Sequence, residues 1–286
     1  MHPLFITAAD GSARFGLHHV PAMGQPQALV VYLHPFAEEM NKSRRMAALQ
    51  ARALAKAGVA VLQMDLLGCG DSAGELADAS WQAWQDDVQL AVRWLRAQHG
   101  GNTPLWLWGL RAGCLLATDA ATQVGEPCNL LFWQPPVGGK PLLQQFLRLK
   151  MAGELQSGQA GGVTAALRAG LERGEDVEVA GYLLPPALAL GLEQAHLRPP
   201  APNARCVWLE TSTREPATLL PSSQGVIARW HAAGHAVQAA AVRGPAFWQT
   251  QEIEEAPALV LATTQALCTQ EPAFAQVGAP ARPVSA

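Results

Sequence analysis

Charged residues are scarce in this sequence, and neither sign dominates. Only 15% of the 286 residues are Asp, Glu, Lys or Arg, and the formal net charge is −3 at pH 7. Proteins that bind DNA or RNA usually contain a strongly basic domain, so we do not expect a nucleic-acid partner. One local cluster is prominent against this background, because five of the eight residues at 38–45 are charged.

Cysteines and long apolar runs are also limited. The five cysteines are widely spaced and include no C-x-x-C pair, which argues against a disulfide framework or a zinc knuckle. The first residues lack the basic segment and apolar stretch of a secretory signal, and no apolar run approaches the roughly 18–20 residues that span a membrane. The sequence therefore predicts a cytoplasmic protein without a transmembrane segment, and it points to no cofactor.

Apolar residues are abundant, at 49% of the chain, which is enough to bury a large core. Short apolar runs that favour strands alternate with longer patterns that favour helices, and this alternation is typical of parallel α/β folds. The six predicted strands are residues 28–33, 59–64, 104–108, 129–133, 205–209 and 236–242, with an antiparallel lead-in at 14–20. The predicted helices are residues 42–57, 80–98, 112–123, 221–233 and 256–267.

Residues 135–203 interrupt this alternation. The segment is broken by several Pro-Pro and Gly-Gly pairs, and connections of this length in a compact domain are usually functional. We predict a helical cap inserted over the carboxyl edge of the sheet, where open α/β folds bind ligands. The cap would separate a first core part at 1–134 from a second at 204–269. Residues 270–286, which contain many Pro, Ala and Gly residues, are predicted to form a flexible C-terminal tail.

The predicted strand at 104–108 leads into the pentapeptide GLRAG, centred on Arg111, and then into a helical pattern. This is the strand–turn–helix context of a nucleophile elbow, in which glycines permit a sharp turn and the central residue points into the pocket. A guanidinium has no lone pair to attack a carbonyl and stays charged at any usable pH. Arg111 therefore cannot be the nucleophile.

A second segment supports this backbone geometry. His34-Pro35-Phe36 follows the strand at 28–33, where an oxyanion hole would take one of its N–H donors. Proline has no N–H, so the candidate donors are Phe36 and Ala112.

Several motifs carry a resemblance to one family. They are HPFAEEMNKSRR from His34, GLRAG around Arg111 and GPAFW from Gly244, and the run DLLGCGDS from Asp65 resembles the D-x-x-G-x-G-x-S turn of α/β-hydrolases. The sequence is similar to the exosortase A system-associated hydrolase 2 family, and nearly the whole chain looks like an α/β-hydrolase. The resemblance implies a mostly parallel sheet flanked by helices, in a bacterial protein associated with exosortase and exopolysaccharide genes. Hydrolase activity is implied by superfamily analogy, which does not establish a reaction.

The other triad positions depart from the hydrolase pattern. The acid is expected after the fifth predicted strand, where Glu210 or Glu215 could stand, and the histidine after the sixth, where a Phe-Trp pair ends at Trp248. His231 and His235 precede that strand. Their spacing could suit a metal, but no third ligand is near in sequence, so we predict no metal site. A Ser–His–Asp mechanism thus lacks two of its three members.

Arg111 has two interpretations. At the start of a helix, its guanidinium, the backbone N–H groups and the helix dipole would together favour a carboxylate or phosphate ligand. Alternatively, Arg111 fills the former nucleophile cavity and pairs internally with Glu38, Glu39, Glu210 or Glu215. Strained backbone conformations cost on the order of 1–3 kcal/mol, which argues against an accidental replacement.

The charged run at 38–45 is predicted to lie in a loop before the first long helix. It is either a solvated helix start capped by Asn41 or a polar rim of the pocket. His34, beside it, either acts as a general base or shapes the loop. The candidate ligand-binding residues are Glu38, Glu39, Arg44, Arg45, Asp65, Arg111 and Trp248.

Three functional hypotheses follow. The first is a catalytically degenerate α/β-hydrolase that binds an anionic acyl, carbohydrate or lipid-linked ligand for an exosortase or exopolysaccharide pathway. The second is an active enzyme, esterase-like or thioesterase-like, that uses His34 to activate water, or Cys69 or Cys114 as nucleophile. The third is a non-catalytic scaffold whose cap binds a protein partner in that system.

Overall fold

The computed structural model describes residues 1–22, 24–155 and 162–268. The tail predicted for residues 270–286 lies outside these described residues. The strands are β1 (His2–Thr7), β2 (Ala13–His19), β3 (Ala28–Leu33), β4 (Val59–Met64), β5 (Leu105–Leu110), β6 (Cys128–Trp133), β7 (Val177–Val179), β8 (Tyr182–Leu184), β9 (Arg205–Ser212) and β10 (Ala236–Arg243).

Eight of these strands form one sheet in the order β1-β2-β4-β3-β5-β6-β9-β10. Strands β3, β4, β5, β6, β9 and β10 are parallel to one another, whereas β2 is antiparallel to β4 and to β1. The predicted mostly parallel α/β fold is therefore confirmed. Strand β1 has no counterpart in the predicted set, and its short, largely exposed sequence explains why.

The helices are α1 (Glu38–Lys56), α2 (Trp81–His99), α3 (Ala112–Ala121), α4 (Gly139–Leu155), α5 (Val163–Glu172), α6 (Pro186–Gln194), α7 (Pro221–Ala232) and α8 (Pro257–Cys268). Each of the five helices predicted from the sequence is present, with its ends within four residues of the prediction. Helices α2, α3 and α7 pack on one face of the sheet, and α1 and α8 pack on the other.

Helix α1 begins earlier than predicted, and this corrects the interpretation of the charged run. Residues 38–45 are the first two turns of the helix and not a loop. Asn41 lies inside the helix, so its assignment as the cap is wrong; the cap residue is Ala37, with φ 49°. Glu38 and Glu39 stand in the first turn, where the helix dipole favours negative charge.

Side chains of the central strands alternate between two apolar cores, one on each face of the sheet. From β3, Leu29, Val31 and Leu33 enter the core beside α2 and α3, whereas Val30 and Tyr32 enter the core beside α1 and α8. Burial on both faces is typical of parallel sheets. The alternation fixes which side chains of each strand lie beneath α1.

The chain between β6 and β9 contains α4, α5, the β7-β8 pair and α6, and we refer to residues 135–203 as the cap segment. The Phe146 ring in α4 lies against Phe36, with 5.0 Å between ring centroids, and against Tyr182 at 6.0 Å. The cap segment therefore contacts the turn that follows β3. Its assignment as a separate domain stays a prediction. None of the helices among the described residues is long and apolar enough to cross a membrane.

Candidate functional site

Arg111 lies at the turn between β5 and α3, with backbone angles φ 54° and ψ −118°. Two glycines make the turn possible. A Cβ on Gly109 would overlap the first turn of α3, and one on Gly113 would overlap the Leu33 carbonyl group. The Arg111 N–H donates to the Trp133 carbonyl oxygen at 3.0 Å. The fold thus holds the strained backbone in place and presents Arg111 at the carboxyl edge of the sheet.

The Arg111 guanidinium is held by Glu39 of α1. Its Nε lies 3.3 Å from both carboxylate oxygens, and its Nη2 lies 3.2 Å from one of them. Nη2 also donates to the side-chain oxygen of Gln145, in α4, at 3.1 Å. The Arg111 and Glu39 side chains are only 13% and 8% exposed. Of the four glutamates considered from the sequence, the bonded partner is Glu39, and no sequence pattern indicated Gln145.

Burial and charge act in opposite directions on the Glu39 carboxyl group. Burial is the larger influence and raises the pKa above its ordinary value, while the Arg111 guanidinium offsets part of that increase. Removing one partner from a buried ion pair is expensive, at about 3–5 kcal/mol, because the other charge is left uncompensated. Arg111 and Glu39 therefore depend on each other for their burial.

The indole of Trp248 occupies the region after β10, where a hydrolase histidine is expected. Its ring centroid lies 5.7 Å from the Arg111 guanidinium carbon, which is a cation–π contact. Phe247 packs against it at 5.1 Å between ring centroids. Within the described residues, the side-chain hydrogen bonds of Arg111 are to carboxylate and amide groups and not to an imidazole.

The two candidates for a triad acid are engaged elsewhere. Glu210, on β9, accepts hydrogen bonds from Trp208 Nε1 at 2.9 Å and from the Leu220 N–H at 2.8 Å. Glu215 is exposed and pairs with Arg243 at 3.1 Å. Glu210 thus anchors the chain after β9, and Glu215 belongs to the surface.

The N–H groups of Phe36 and Ala112 donate to no protein acceptor among the described residues, so both remain available as oxyanion-type donors. The space beside them is small. A cavity of about 10 Å³ is lined by Phe36, Glu38, Glu39, Leu142, Gln145 and Phe146. That is near the lower limit for a single water molecule, roughly 10–15 Å³. Among the described residues, the side chains beside Phe36 and Glu39 thus leave little space.

His34 makes hydrogen bonds through both ring nitrogens. Nε2 accepts from the Leu66 N–H at 3.4 Å, so Nδ1 carries the proton and donates to the Pro35 carbonyl oxygen at 2.8 Å. Burial lowers the pKa of His34 below its ordinary value. The side chain is therefore a neutral group that joins the turns after β3 and β4, an arrangement that favours the loop-shaping role over general-base catalysis.

The candidate cysteine nucleophiles are buried. Burial raises the pKa of Cys69 to about 12 and that of Cys114 well above the ordinary value. The Cys114 thiol donates to the Gly109 carbonyl oxygen at 3.1 Å. Because the thiolate is the reactive form of cysteine, neither side chain is activated. The described residues also contain no cluster of three or more side chains that could hold a metal ion.

The remaining candidate ligand-binding residues do not converge on the elbow. Arg44 and Asp65 pair with each other at 3.3 Å, and Asp65 also accepts the Asp71 N–H at 3.0 Å. Arg45 pairs with Glu255 at the surface. The candidates that remain around the elbow are Glu38, Glu39, Arg111 and Trp248.

Comparisons with known proteins agree with this architecture. The sequence model of the family described as serine aminopeptidase, S33, matches residues 24–157, slightly less than half of the chain. The structure of Est1E from Butyrivibrio proteoclasticus with ferulic acid bound is similar, at 14% identity and a TM-score of 0.66, over 93% of this chain and 96% of that one. This chain has the α/β-hydrolase fold.

Other α/β-hydrolase-fold structures match to a similar extent. A thermostable carboxyl esterase from Bacillus coagulans is 15% identical, with a TM-score of 0.58, over 85% of this chain and 90% of that one. Proline iminopeptidase from Mycobacterium smegmatis is 15% identical, with a TM-score of 0.57, over 93% and 97%. No curated protein matches the sequence. At these identities the likeness establishes the fold and not the reaction.

Proposed function

We propose that this chain is a non-hydrolytic α/β-hydrolase-fold protein that serves a bacterial exosortase or exopolysaccharide system in the cytoplasm. The observation that carries the proposal is Arg111 at the nucleophile position, ion-paired with Glu39. The motif resemblance around His34, Arg111 and Gly244 supports the assignment to that system.

The expected loss of catalysis is large. In a serine protease, removing either the serine or the histidine of the triad costs about 10⁶-fold in kcat. Here Arg111 stands at the serine position, the Trp248 ring lies beside it, and the cavity between Phe36, Glu39 and Gln145 has a volume of only about 10 Å³. Ester hydrolysis should therefore not exceed the background rate.

An anion-binding role is the second candidate, and the available Phe36 and Ala112 N–H groups favour it. These donors, the start of α3 and the Arg111 guanidinium would suit the carboxylate or phosphate of an acyl, carbohydrate or lipid-linked ligand. Such a ligand must displace Glu39 from Arg111, however, and leaving a buried charge unpaired costs about 3–5 kcal/mol. Anion binding at Arg111 must therefore overcome this cost. A protein-binding role for that segment remains the third hypothesis.

The decisive test is an esterase assay. The purified protein and its Arg111→Ala variant are given p-nitrophenyl acetate, p-nitrophenyl butyrate and an acyl thioester, with Arg93→Ala as a matched control at an exposed arginine of α2. We expect all three proteins to give the rate of the protein-free reaction. Turnover by the wild type that persists in Arg111→Ala would overturn the proposal and favour a hydrolase that uses another group.

The anion-binding candidate has a separate readout. Titration of acetate, octanoate and inorganic phosphate, followed by thermal shift, would detect ligands that bind the folded state. Stabilisation that disappears in Arg111→Met but persists in Arg93→Met would favour anion binding. The absence of any shift would leave the elbow as a structural ion pair.

A further inference from the structure

We propose that a cavity beneath α1 binds a small, uncharged and largely apolar molecule that carries one hydrogen-bond acceptor. The cavity has a volume of about 180 Å³, whereas the one at the elbow has about 10 Å³. The two share no lining residue. The proposal therefore stands apart from the function assigned to Arg111.

Helix α1 forms the roof of this cavity. Met40, Arg44, Ala47 and Ala48 line it, and their spacing places them on one face of the helix. The two alanines reach only a short distance toward the sheet. The floor includes Phe15 and Leu17 from β2, Tyr32 from β3, and Gln63 and Met64 from β4. The space exists because small side chains stand where α1 crosses these strands.

The volume suits a small ring. An engineered apolar cavity of about 150 Å³ in another protein binds benzene. A space of about 180 Å³ therefore takes a six-membered ring with one substituent. A fatty acyl chain or a sugar nucleotide is too large for it.

The Tyr32 hydroxyl is the reason that we expect the ligand to carry a hydrogen-bond acceptor. Tyr32 is one of the lining residues and only 5% exposed, and its ring packs against Trp108 at 4.4 Å between ring centroids. The buried Tyr32 hydroxyl has no hydrogen-bond partner in the described part of the chain. Burial raises the pKa of this group far above its ordinary value, so it remains protonated and able to donate. A buried donor without an acceptor is unfavourable, and a ligand carbonyl or hydroxyl oxygen would satisfy it.

The charges at the cavity cancel. Arg44, with 44% of its side chain exposed, pairs with Asp65 at 3.3 Å, and both residues line the space. Gly70 leaves room for this pair, because a Cβ there would overlap the Asp65 carboxylate and lie 2.5 Å from Arg44 Nη2. His34, also in the lining, is neutral because its Nε2 accepts a hydrogen bond from the Leu66 N–H while Nδ1 donates to the Pro35 carbonyl oxygen. A cavity without net charge favours an uncharged ligand over a carboxylate or phosphate.

Three small aromatic probes separate the contributions. Phenol has the ring and the oxygen, toluene has the ring alone, and benzoate adds a charge. Saturation-transfer NMR and thermal shift measure their binding to the full chain. We expect phenol to bind about tenfold more tightly than toluene, the difference made by one hydrogen bond. Benzoate should bind more weakly than phenol, because Asp65 already neutralises Arg44.

Two variants locate the site. Ala48→Leu adds three carbons inside the cavity and should weaken phenol binding by about tenfold or more, because it removes the space that a ring needs. Ala55→Leu makes the same change on the same helix, at a residue outside the lining, and should leave the affinity unchanged. Tyr32→Phe should lower the affinity for phenol about tenfold and leave that for toluene unchanged.

Each contrary outcome overturns a stated part of the proposal. If phenol and toluene both fail to bind at millimolar concentration, the cavity holds water only. Equal binding by Ala48→Leu and Ala55→Leu would place the ligand elsewhere. An unchanged phenol affinity in Tyr32→Phe would exclude the hydroxyl as the donor. Tighter binding of benzoate than of phenol would make the site an anion site.

Discussion

The elbow and the cavity beneath α1 share a helix but are built in opposite ways. At the elbow, the long side chains of Arg111, Glu39 and Gln145 meet and leave about 10 Å³. Beneath α1, Ala47 and Ala48 leave about 180 Å³. At the elbow, an arginine–carboxylate pair occupies the space in front of Arg111, whereas small side chains leave a cavity beneath α1.

The two regions also differ in how they use an arginine–carboxylate pair. Arg111 and Glu39 are 13% and 8% exposed, whereas Arg44 is 44% exposed. Exposed pairs contribute little to stability, about 0–1 kcal/mol, while breaking a buried pair costs several times more. Loss of the Arg111–Glu39 pair should therefore destabilise the protein strongly, whereas loss of the Arg44–Asp65 pair should change its stability little.

The largest expected effect comes from breaking the elbow pair. Glu39→Leu should lower the free energy of unfolding by about 3 kcal/mol, because it leaves the Arg111 guanidinium buried without a counter-charge. Urea denaturation checks this value. Glu38→Leu, at the half-buried neighbour on α1, is the matched control and should cost under about 1 kcal/mol.

The double variant Glu39→Leu/Arg111→Met tests whether the unpaired Arg111 charge causes the loss of stability in Glu39→Leu. Replacing both members of a buried pair with apolar groups is often neutral or stabilising, so most of the loss in Glu39→Leu should be recovered. Additive losses in the double variant would show that the pair is not the source of the effect.

The second effect concerns Gly70, which lies under the Arg44–Asp65 pair. Gly70→Ala should destabilise the protein by about 2 kcal/mol, because the methyl group would overlap the Asp65 carboxylate and the backbone has φ 57°. Gly100→Ala is the matched control, since Gly100 also has a positive φ of 85° but open space around it. Equal destabilisation of the two variants would mean that backbone strain, and not the overlap, sets the cost.

The third effect is a pH dependence at His34. Burial lowers the pKa of this imidazole below 6.5, so the native chain binds its proton less readily than the unfolded chain. The contribution of His34 to stability is therefore present above about pH 6.5 and is lost as the pH falls toward the native pKa. NMR of the ring nitrogens should show a neutral Nδ1–H form at pH 6.5. A cationic ring at that pH would contradict the account of an uncharged cavity.

The smallest expected effect is on ester hydrolysis by Arg111→Ser, which we expect to stay at the background rate. Arg111→Ser introduces a hydroxyl at the elbow, but the ring beside that position is the Trp248 indole and not an imidazole, so hydrolysis of p-nitrophenyl esters should not rise above background. The double variant Glu39→Gln/Arg111→Ser avoids an unpaired buried carboxylate, and its rate of ester hydrolysis should also stay at background. Fast turnover by either variant would reveal a base that the structure does not place beside Arg111.

The fold was largely predictable from local patterns, whereas the boundaries of α1 were not. Apolar runs and glycines predicted the strands and the elbow, since these depend on nearby residues. Helix α1 starts at Glu38 because two glutamates suit the first turn, although Ala37 lacks a capping side chain. Because Asn41 is the first residue of a usual capping type in this run, the sequence pattern predicts a helix start that is too late.

The site was predictable only in part, because its contacts are tertiary. The sequence identified Arg111 and Glu39 as possible partners but could not choose Glu39 over Glu38, which depends on the rotation of α1. Gln145 carries no motif, and its role appears only when α4 reaches the elbow. The cavity beneath α1 exists because the side chains of Ala47 and Ala48 are small. No sequence pattern predicts such an empty space.

The most informative single measurement is intact-mass spectrometry after exposure to a fluorophosphonate, because this reagent labels the activated serine hydroxyl of a working serine hydrolase. We expect the wild-type chain to keep its unmodified mass, since the elbow position is Arg111, paired with Glu39, and not a serine. A stoichiometric adduct on the wild type that also forms on Arg111→Ala would contradict this expectation.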